Sequence, residues 1–229
     1  MSHSISFVRL PKNYSKNNKQ TYPVVYLLDG NAYFDQVSNS VDSYLKKKKG
    51  SVDLIIIGIG YANAYVMDSL RNRDYTFPEA LPSDSFKISG LGDRFYVDSA
   101  YRTDKSNRTI AGHSLGGYFV LYALNQNRSE SLIFNNFIAA SPSIYYHDNY
   151  LANEISRSQI SRKNTENIKL YLTIGELEVL ENQTNDFEIL SKMLTDKKFN
   201  VQTEVYKGLE HMGTAIPTFE SGIQLFLTK

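Results

Sequence analysis

The stretch Thr109-Ile-Ala-Gly112-His113-Ser114-Leu115-Gly116-Gly117 decides the reading of this chain. An apolar strand ends at Ala111 and a helical pattern begins at Leu115, so a G-x-S-x-G sequence occupies the turn between them. A turn that tight needs small residues around its central one, here Gly112, Gly116 and Gly117. It lifts the Ser114 hydroxyl clear of a sheet and aims a helix N-terminus at the space in front of it, which is what a serine nucleophile needs. The bland alternative is a glycine-rich turn in which Ser114 merely caps the helix.

Outward from that turn the chain alternates strands and helices. Residues 5–10 alternate like a half-buried strand. Residues 22–28 and 52–59 are short continuous apolar runs, the pattern of strands buried on both faces. Residues 109–111, 136–140, 168–174 and 201–206 continue the series, with helical patterns over 33–48, 115–127, 184–197 and 217–227. In the last of these, Phe219, Ile223, Phe226 and Leu227 recur at helical spacing. This order predicts an α/β architecture with a mainly parallel sheet, in which 5–10 and 22–28 are a candidate antiparallel pair. Chemistry in such a sheet sits at the carboxyl ends of the strands.

Composition bounds the rest. The 229 residues carry no repeat or linker and read as a single domain, 1–229, large enough to bury about 70% of its unfolded surface without staples. There is no cysteine, which excludes disulfide scaffolds, cysteine zinc sites, iron–sulfur clusters and thiol catalysis. Four histidines without ligand spacing point away from a metal site. A net charge of +1 argues against nucleic-acid binding. No apolar run approaches the roughly 18 residues of a membrane span, and residues 1–10 lack the apolar stretch of a signal peptide, so a soluble, cytoplasmic protein is expected. Residues 11–20 and 79–93 read as surface loops, and Lys46–Lys49 as a solvated helix end closed by Gly50.

A serine nucleophile needs a base. His3 lies in the terminus, the His113 side chain should point away from Ser114, and His147 follows residues 141–146 in a loop. His211 follows the last strand, in Gly208-Leu-Glu-His-Met-Gly213, where an α/β-hydrolase carries its base. An orienting acid should fall between serine and histidine in the chain. The buried strand at 168–174 runs into Gly175-Glu-Leu-Glu178, so Glu178 is the candidate acid and Glu176 the reserve. The alternative is a Ser–His dyad with both carboxylates solvated. One oxyanion donor is the Leu115 N–H, and the other is expected from Leu27-Leu-Asp-Gly-Asn31, at the Asn31 N–H. Gly30 lets that backbone approach closely, and Asp29 is expected to fix the turn through its own backbone hydrogen bonds.

Five motifs then occur in one order: 25–30 (Val-Tyr-Leu-Leu-Asp-Gly), 71–76 (Arg-Asn-Arg-Asp-Tyr-Thr), 111–117, 140–143 (Ala-Ser-Pro-Ser) and 175–178. From about Val8 to Phe226 the chain resembles the esterase D-like α/β-hydrolases, among them the enterochelin (iron-siderophore) esterases and, more distantly, the S-formylglutathione hydrolases. The resemblance implies an α/β-hydrolase fold with Ser114 as nucleophile, His211 as base, Glu178 as acid, and Asn31 and Leu115 at the oxyanion hole. It places Arg71 and Arg73 at the pocket border, where an arginine could hold an anionic substrate group. The alternative is that Arg73 pairs with Asp74 and organises the loop. Tyr33, Tyr75, Tyr145 and Tyr146 fall in the expected pocket loops and would suit an aromatic substrate.

Two departures from the family stand out. The N-terminal edge is short, and Gly92-Asp-Arg-Phe95 runs almost directly into residues 96–104, where the family carries a further helix's worth of chain. The expected activity is a serine hydrolase of carboxylic esters working through an acyl-enzyme, on siderophore-type or small-acyl esters, with a thioesterase as a variant. It needs no cofactor, and its partner is a small-molecule ester rather than nucleic acid or membrane. The competing reading is a non-catalytic binding protein on a truncated hydrolase scaffold.

Overall fold

The computed structural model describes residues 4–14, 19–48, 52–62, 67–83, 101–126, 133–158, 168–181 and 183–227. The abbreviated stretch at 92–100 lies outside them. Seven strands form one sheet: β1 (Ser4–Arg9), β2 (Tyr22–Leu27), β3 (Ile55–Tyr61), β4 (Thr103–His113), β5 (Asn136–Ala140), β6 (Lys169–Gly175) and β7 (Asn200–Tyr206). Their spatial order is β1-β3-β2-β4-β5-β6-β7, and every neighbouring pair is parallel except β1 with β3. Among the described residues six helices accompany them: α1 (Gly30–Lys47), α2 (Met67–Tyr75), α3 (Leu115–Gln126), α4 (Tyr146–Arg157), α5 (Gln183–Asp196) and α6 (Ala215–Leu227). Short 3₁₀ turns at Glu176–Glu181 and His211–Thr214 follow β6 and precede α6. This is the α/β-hydrolase arrangement.

The apolar runs form strands because both their faces are covered. Along β2, Val24 and Tyr26 enter the core shared with α2, α3, α4 and α5, while Val25 and Leu27 enter the core shared with α1 and α6. The same division splits Ile55 and Ile57 from Ile56 on β3. On α6, Phe219, Ile223 and Phe226 bury the stripe that their spacing predicts.

The antiparallel strand has a different partner from the one expected. Residues 4–9 pair with β3, from Ser4↔Tyr61 to Arg9↔Ile56, and not with β2. The reason is that β2 is central: β3 and β4 occupy both its edges, leaving none for β1. Arg9 secures the pairing, with its guanidinium on Asp42 of α1 (2.6 Å), on Asp53 (3.0 Å) and on the Leu54 carbonyl (2.7 Å). Helices α2 and α4 were not legible in the apolar pattern. Tyr75 is the buried residue of α2, and α4 opens through three left-handed residues, His147 to Asn149. Among the described residues no helix is long and apolar enough to cross a membrane.

The register brings the carboxyl ends together. His113↔Ala140 and Ala140↔Thr173 align the ends of β4, β5 and β6, and Gly175↔Tyr206 brings β7 level with them. Ser114, Ser141, Glu178 and His211 all follow those ends, so residues as far as 97 positions apart share one edge of the sheet.

Candidate active site

Ser114 sits between β4 and α3 at φ 58°, in the left-handed region that a non-glycine residue seldom adopts. The turn is held from three sides. The Ser114 N–H donates to the Ala140 carbonyl (3.0 Å), and its own carbonyl accepts from the N–H groups of Tyr118 (2.9 Å) and Ser143 (3.1 Å). A β-carbon on Gly112 would come within 2.4 Å of the Gly116 carbonyl oxygen, and one on Gly117 within 2.9 Å of the Ala140 carbonyl oxygen. Both clashes are with backbone, so the small residues around Ser114 are steric requirements. The Ser114 Oγ is 3.4 Å from the Ser143 Oγ.

Across the edge, His211 Nδ1 lies 2.6 Å from Glu178 Oε2. The other Glu178 oxygen accepts from the Ser141 hydroxyl (2.6 Å) and the Gly175 N–H (2.8 Å). Burial opposes ionisation of Glu178, but the hydrogen bonds from His211, Ser141 and Gly175 outweigh it and hold the carboxyl below its ordinary value. An ionised carboxylate accepts only, so His211 Nδ1 carries the proton and Nε2 is left with a lone pair. Glu176 points elsewhere, accepting from the Gly208 N–H (2.8 Å) and joining the loops after β6 and β7. Among the described residues no hydrogen bond joins Ser114 to His211.

Leu115 and Asn31 open the first turns of α3 and α1, where backbone N–H groups have no acceptor within the helix. The Asn31 side chain is committed to the end of β3: its amide donates to the Tyr61 carbonyl (3.0 Å) and its Oδ1 accepts from the Tyr61 N–H (2.7 Å). Its backbone is what remains for a ligand. Gly30 packs closely on β3, since a β-carbon there would come 2.8 Å from the Gly58 carbonyl carbon.

Asp29 and the pocket-border residues are arranged differently from expectation. Asp29 is left-handed (φ 53°) and its carbonyl accepts from Ala32, as a turn residue's should. Its carboxylate, however, takes the Nε–Nη2 fork of Arg71, at 3.0 and 2.8 Å. Arg71 is thereby a clamp on the turn, with two of its five donors spent on Asp29. Arg73 pairs with Asp74 (2.6 and 2.9 Å). Tyr75 is fully buried against Phe119, with its hydroxyl accepting from the Asp29 N–H (3.2 Å). Tyr146 is buried against Tyr118 and donates to the Pro78 carbonyl (2.8 Å). Neither ring presents a face to the outside, because the core offers an aromatic partner. Tyr145 is half exposed and lines a small hollow, about 10 Å³, with Pro142, Ile144, Ile174 and Asp186. His147 meets the Glu79 carbonyl (2.8 Å), and no cluster of three or more ligating side chains able to hold a metal occurs among the described residues.

With this geometry in view, the sequence profile of the family described as "Putative esterase" matches residues 4–217. The chain belongs to that esterase family. A curated member, the ferri-bacillibactin esterase BesA of Bacillus subtilis, is 33% identical over 177 residues, covering 69% of this chain and 60% of BesA. The apo-salmochelin esterase of Escherichia coli O6:H1 is 29% identical over 141 residues, or 54% of this chain and 42% of that one. The chain thus matches about half of the length of these esterases. The solved siderophore hydrolase EstA from Aspergillus nidulans superposes over 97% of this chain and 93% of its own, with a TM-score of 0.77 at 21% identity, which shows the shared fold.

Three polar residues of this site had no role assigned from residue type. Ser141, left-handed at φ 39°, holds Glu178, and Thr214 bonds Ser141 (2.7 Å). The His113 ring lies between Tyr33 and the His211 backbone. Ser141 belongs to a motif already noted, but neither hydroxyl carries a signature by which its partner could be read.

Proposed function

We propose that this chain is a serine hydrolase of carboxylic esters, with Ser114 as nucleophile, His211 as base and Glu178 as the acid that orients it. The observation that carries the reading is the buried Glu178 carboxylate on His211 Nδ1, at the same sheet edge as the strained Ser114 turn. A glycine-rich turn that merely capped a helix would need neither a paired histidine nor a carboxylate held by three donors.

The chemistry follows from the atoms available. Substrate docks with its carbonyl carbon above the Ser114 Oγ and its oxygen toward the Leu115 and Asn31 N–H groups. Oγ attacks while its proton passes to the lone pair on His211 Nε2, and Glu178 stabilises the imidazolium without taking the proton. Collapse of the tetrahedral adduct breaks the ester C–O bond, and His211 returns the proton to the departing alkoxide. Water then attacks the acyl-enzyme, losing its proton to His211, which restores Ser114 as the acid leaves.

The substrate we favour is a siderophore-type ester, on the strength of the relatives named above, with small-acyl esters as the broader class. The test is hydrolysis of a short-chain p-nitrophenyl ester and labelling by a fluorophosphonate, with Ser114→Ala beside the wild type and circular dichroism on both. Turnover and labelling that vanish in Ser114→Ala support the reading. A folded wild type that neither turns over nor labels favours a binding protein on this scaffold.

A further inference from the structure

His113 is a buried titratable group that the mechanism above leaves without a role. We propose that it is a positioning residue, a neutral strut that sets the distance between the oxyanion-hole helix, the nucleophile and the base. The inference rests on the hydrolase reading and adds a residue to it.

The hydrogen bonds assign the ring's protons. His113 Nε2 lies 2.9 Å from the His211 carbonyl oxygen, which can only accept, so Nε2 carries the hydrogen. In a neutral imidazole Nδ1 is then an acceptor, and the Tyr33 hydroxyl, 3.1 Å away, donates to it. Burial, and then the adjacent His211, push the ring down to about 4, so it is neutral wherever a histidine base works. Both nitrogens are satisfied in one tautomer and one orientation.

The three groups come from three parts of the site. Tyr33 is in the first turn of α1, two residues past Asn31, and its ring packs edge-on against Phe219 of α6 (5.4 Å). His113 ends β4 beside Ser114. The His211 carbonyl opens the 3₁₀ turn, and the two histidine rings lie 4.6 Å apart. A shift of His211 away from Ser114 would have to break the Nε2–carbonyl bond.

A proton count shows that the Thr214 hydroxyl is no full substitute for this bond. The His211 carbonyl is also 2.9 Å from the Thr214 hydroxyl. The Ser141 hydroxyl has its one proton on Glu178, so its 2.7 Å contact with Thr214 requires the proton of Thr214. Thr214 therefore cannot serve Ser141 and His211 together. The His113 N–H is the side-chain donor that the His211 carbonyl retains in either case, beside the backbone N–H of its own 3₁₀ turn.

The experiment compares two amides in place of the ring. His113→Gln sets an N–H near the Nε2 position, whereas His113→Asn ends near Nδ1 and cannot reach the His211 carbonyl. On a p-nitrophenyl ester, His113→Asn should lose about tenfold to a hundredfold in kcat at unchanged KM, the scale of a misplacement of about 1 Å. His113→Gln should recover most of that loss. Nitrogen-15 NMR of the wild-type ring gives a second reading that needs no variant: protonated Nε2 and bare Nδ1 through about pH 5–8. Full kcat in folded His113→Asn, equal losses in both variants, or an Nδ1–H tautomer would overturn the inference. Wild-type protein that fails to react with fluorophosphonate at Ser114 overturns the hydrolase reading instead, and the catalytic consequence with it.

Discussion

Glu178→Gln tests the proposed orienting acid with almost no change in shape. In the wild type Oε1 accepts two donors, Ser141 and the Gly175 N–H, and Oε2 accepts one, His211. Glutamine has one oxygen and one NH₂ group to set against these three. With the oxygen at the Oε1 position, two bonds survive and the NH₂ faces His211 Nδ1. With the oxygen toward His211, the NH₂ opposes a buried backbone N–H that cannot turn away, which costs about 1–3 kcal/mol. The first placement therefore wins. It obliges His211 Nδ1 to accept, moves the ring proton to Nε2 and takes away the lone pair that must receive the Ser114 proton. The equivalent change of acid to amide in serine protease triads lowers kcat about 10⁴-fold, and a similar loss is expected here, equivalent to about 5 kcal/mol of barrier. The assay is kcat on a p-nitrophenyl ester, with the variant's fold checked by circular dichroism. A folded Glu178→Gln within about tenfold of wild type would refute the reasoning and leave a Ser–His dyad.

Two further predictions concern stability. Arg71→Gln removes the partner of a mostly buried Asp29 and should destabilise the protein by about 3–5 kcal/mol in urea unfolding; Asp29→Asn placed in the same chain should return part of that loss, and no shift in midpoint would refute the clamp. On acidification, His113 is the group to watch, because its folded value lies below its unfolded one. Unfolded chains then bind the extra proton, so its contribution, about 3 kcal/mol at most, is full above about pH 6.5 and is lost as the pH falls toward about 4. Glu178, also held low, keeps its contribution above the ordinary carboxylate range and loses it only as pH falls through its depressed folded value. Unfolding midpoints across this range should fall less steeply in His113→Gln than in wild type, and parallel slopes would exclude His113 as the cause.

The reading of the chain succeeded where the governing forces are local. Residues 22–28 and 52–59 are apolar on both faces, and such a run has no stable place except inside a covered sheet. The turn at 112–117 carries Gly112 and Gly117 because their β-carbons would strike backbone a few residues away or on the adjoining strand. Elements with weak apolar patterning were harder to see: α2 is polar and α4 begins through left-handed residues, so no periodicity marks either.

Side-chain partnerships lay beyond the reach of the sequence for a different reason. Arg71 by residue type suits a substrate anion as well as Asp29, and the choice was made by a contact 42 positions away in the chain. Tyr75 and Tyr146 look like pocket aromatics until the core supplies Phe119 and Tyr118 to pack them. His113 faces a backbone carbonyl 98 residues distant, and a carbonyl carries no residue type at all. The sequence by itself determined the α/β order and the serine turn, and it narrowed the acid to Glu176 or Glu178, because strand burial and steric limits act along the chain. Which carboxylate meets His211, what Arg71 holds and what the His113 ring meets were decided only by tertiary structure, because a hydrogen bond depends on which groups the register of the sheet brings within about 3 Å.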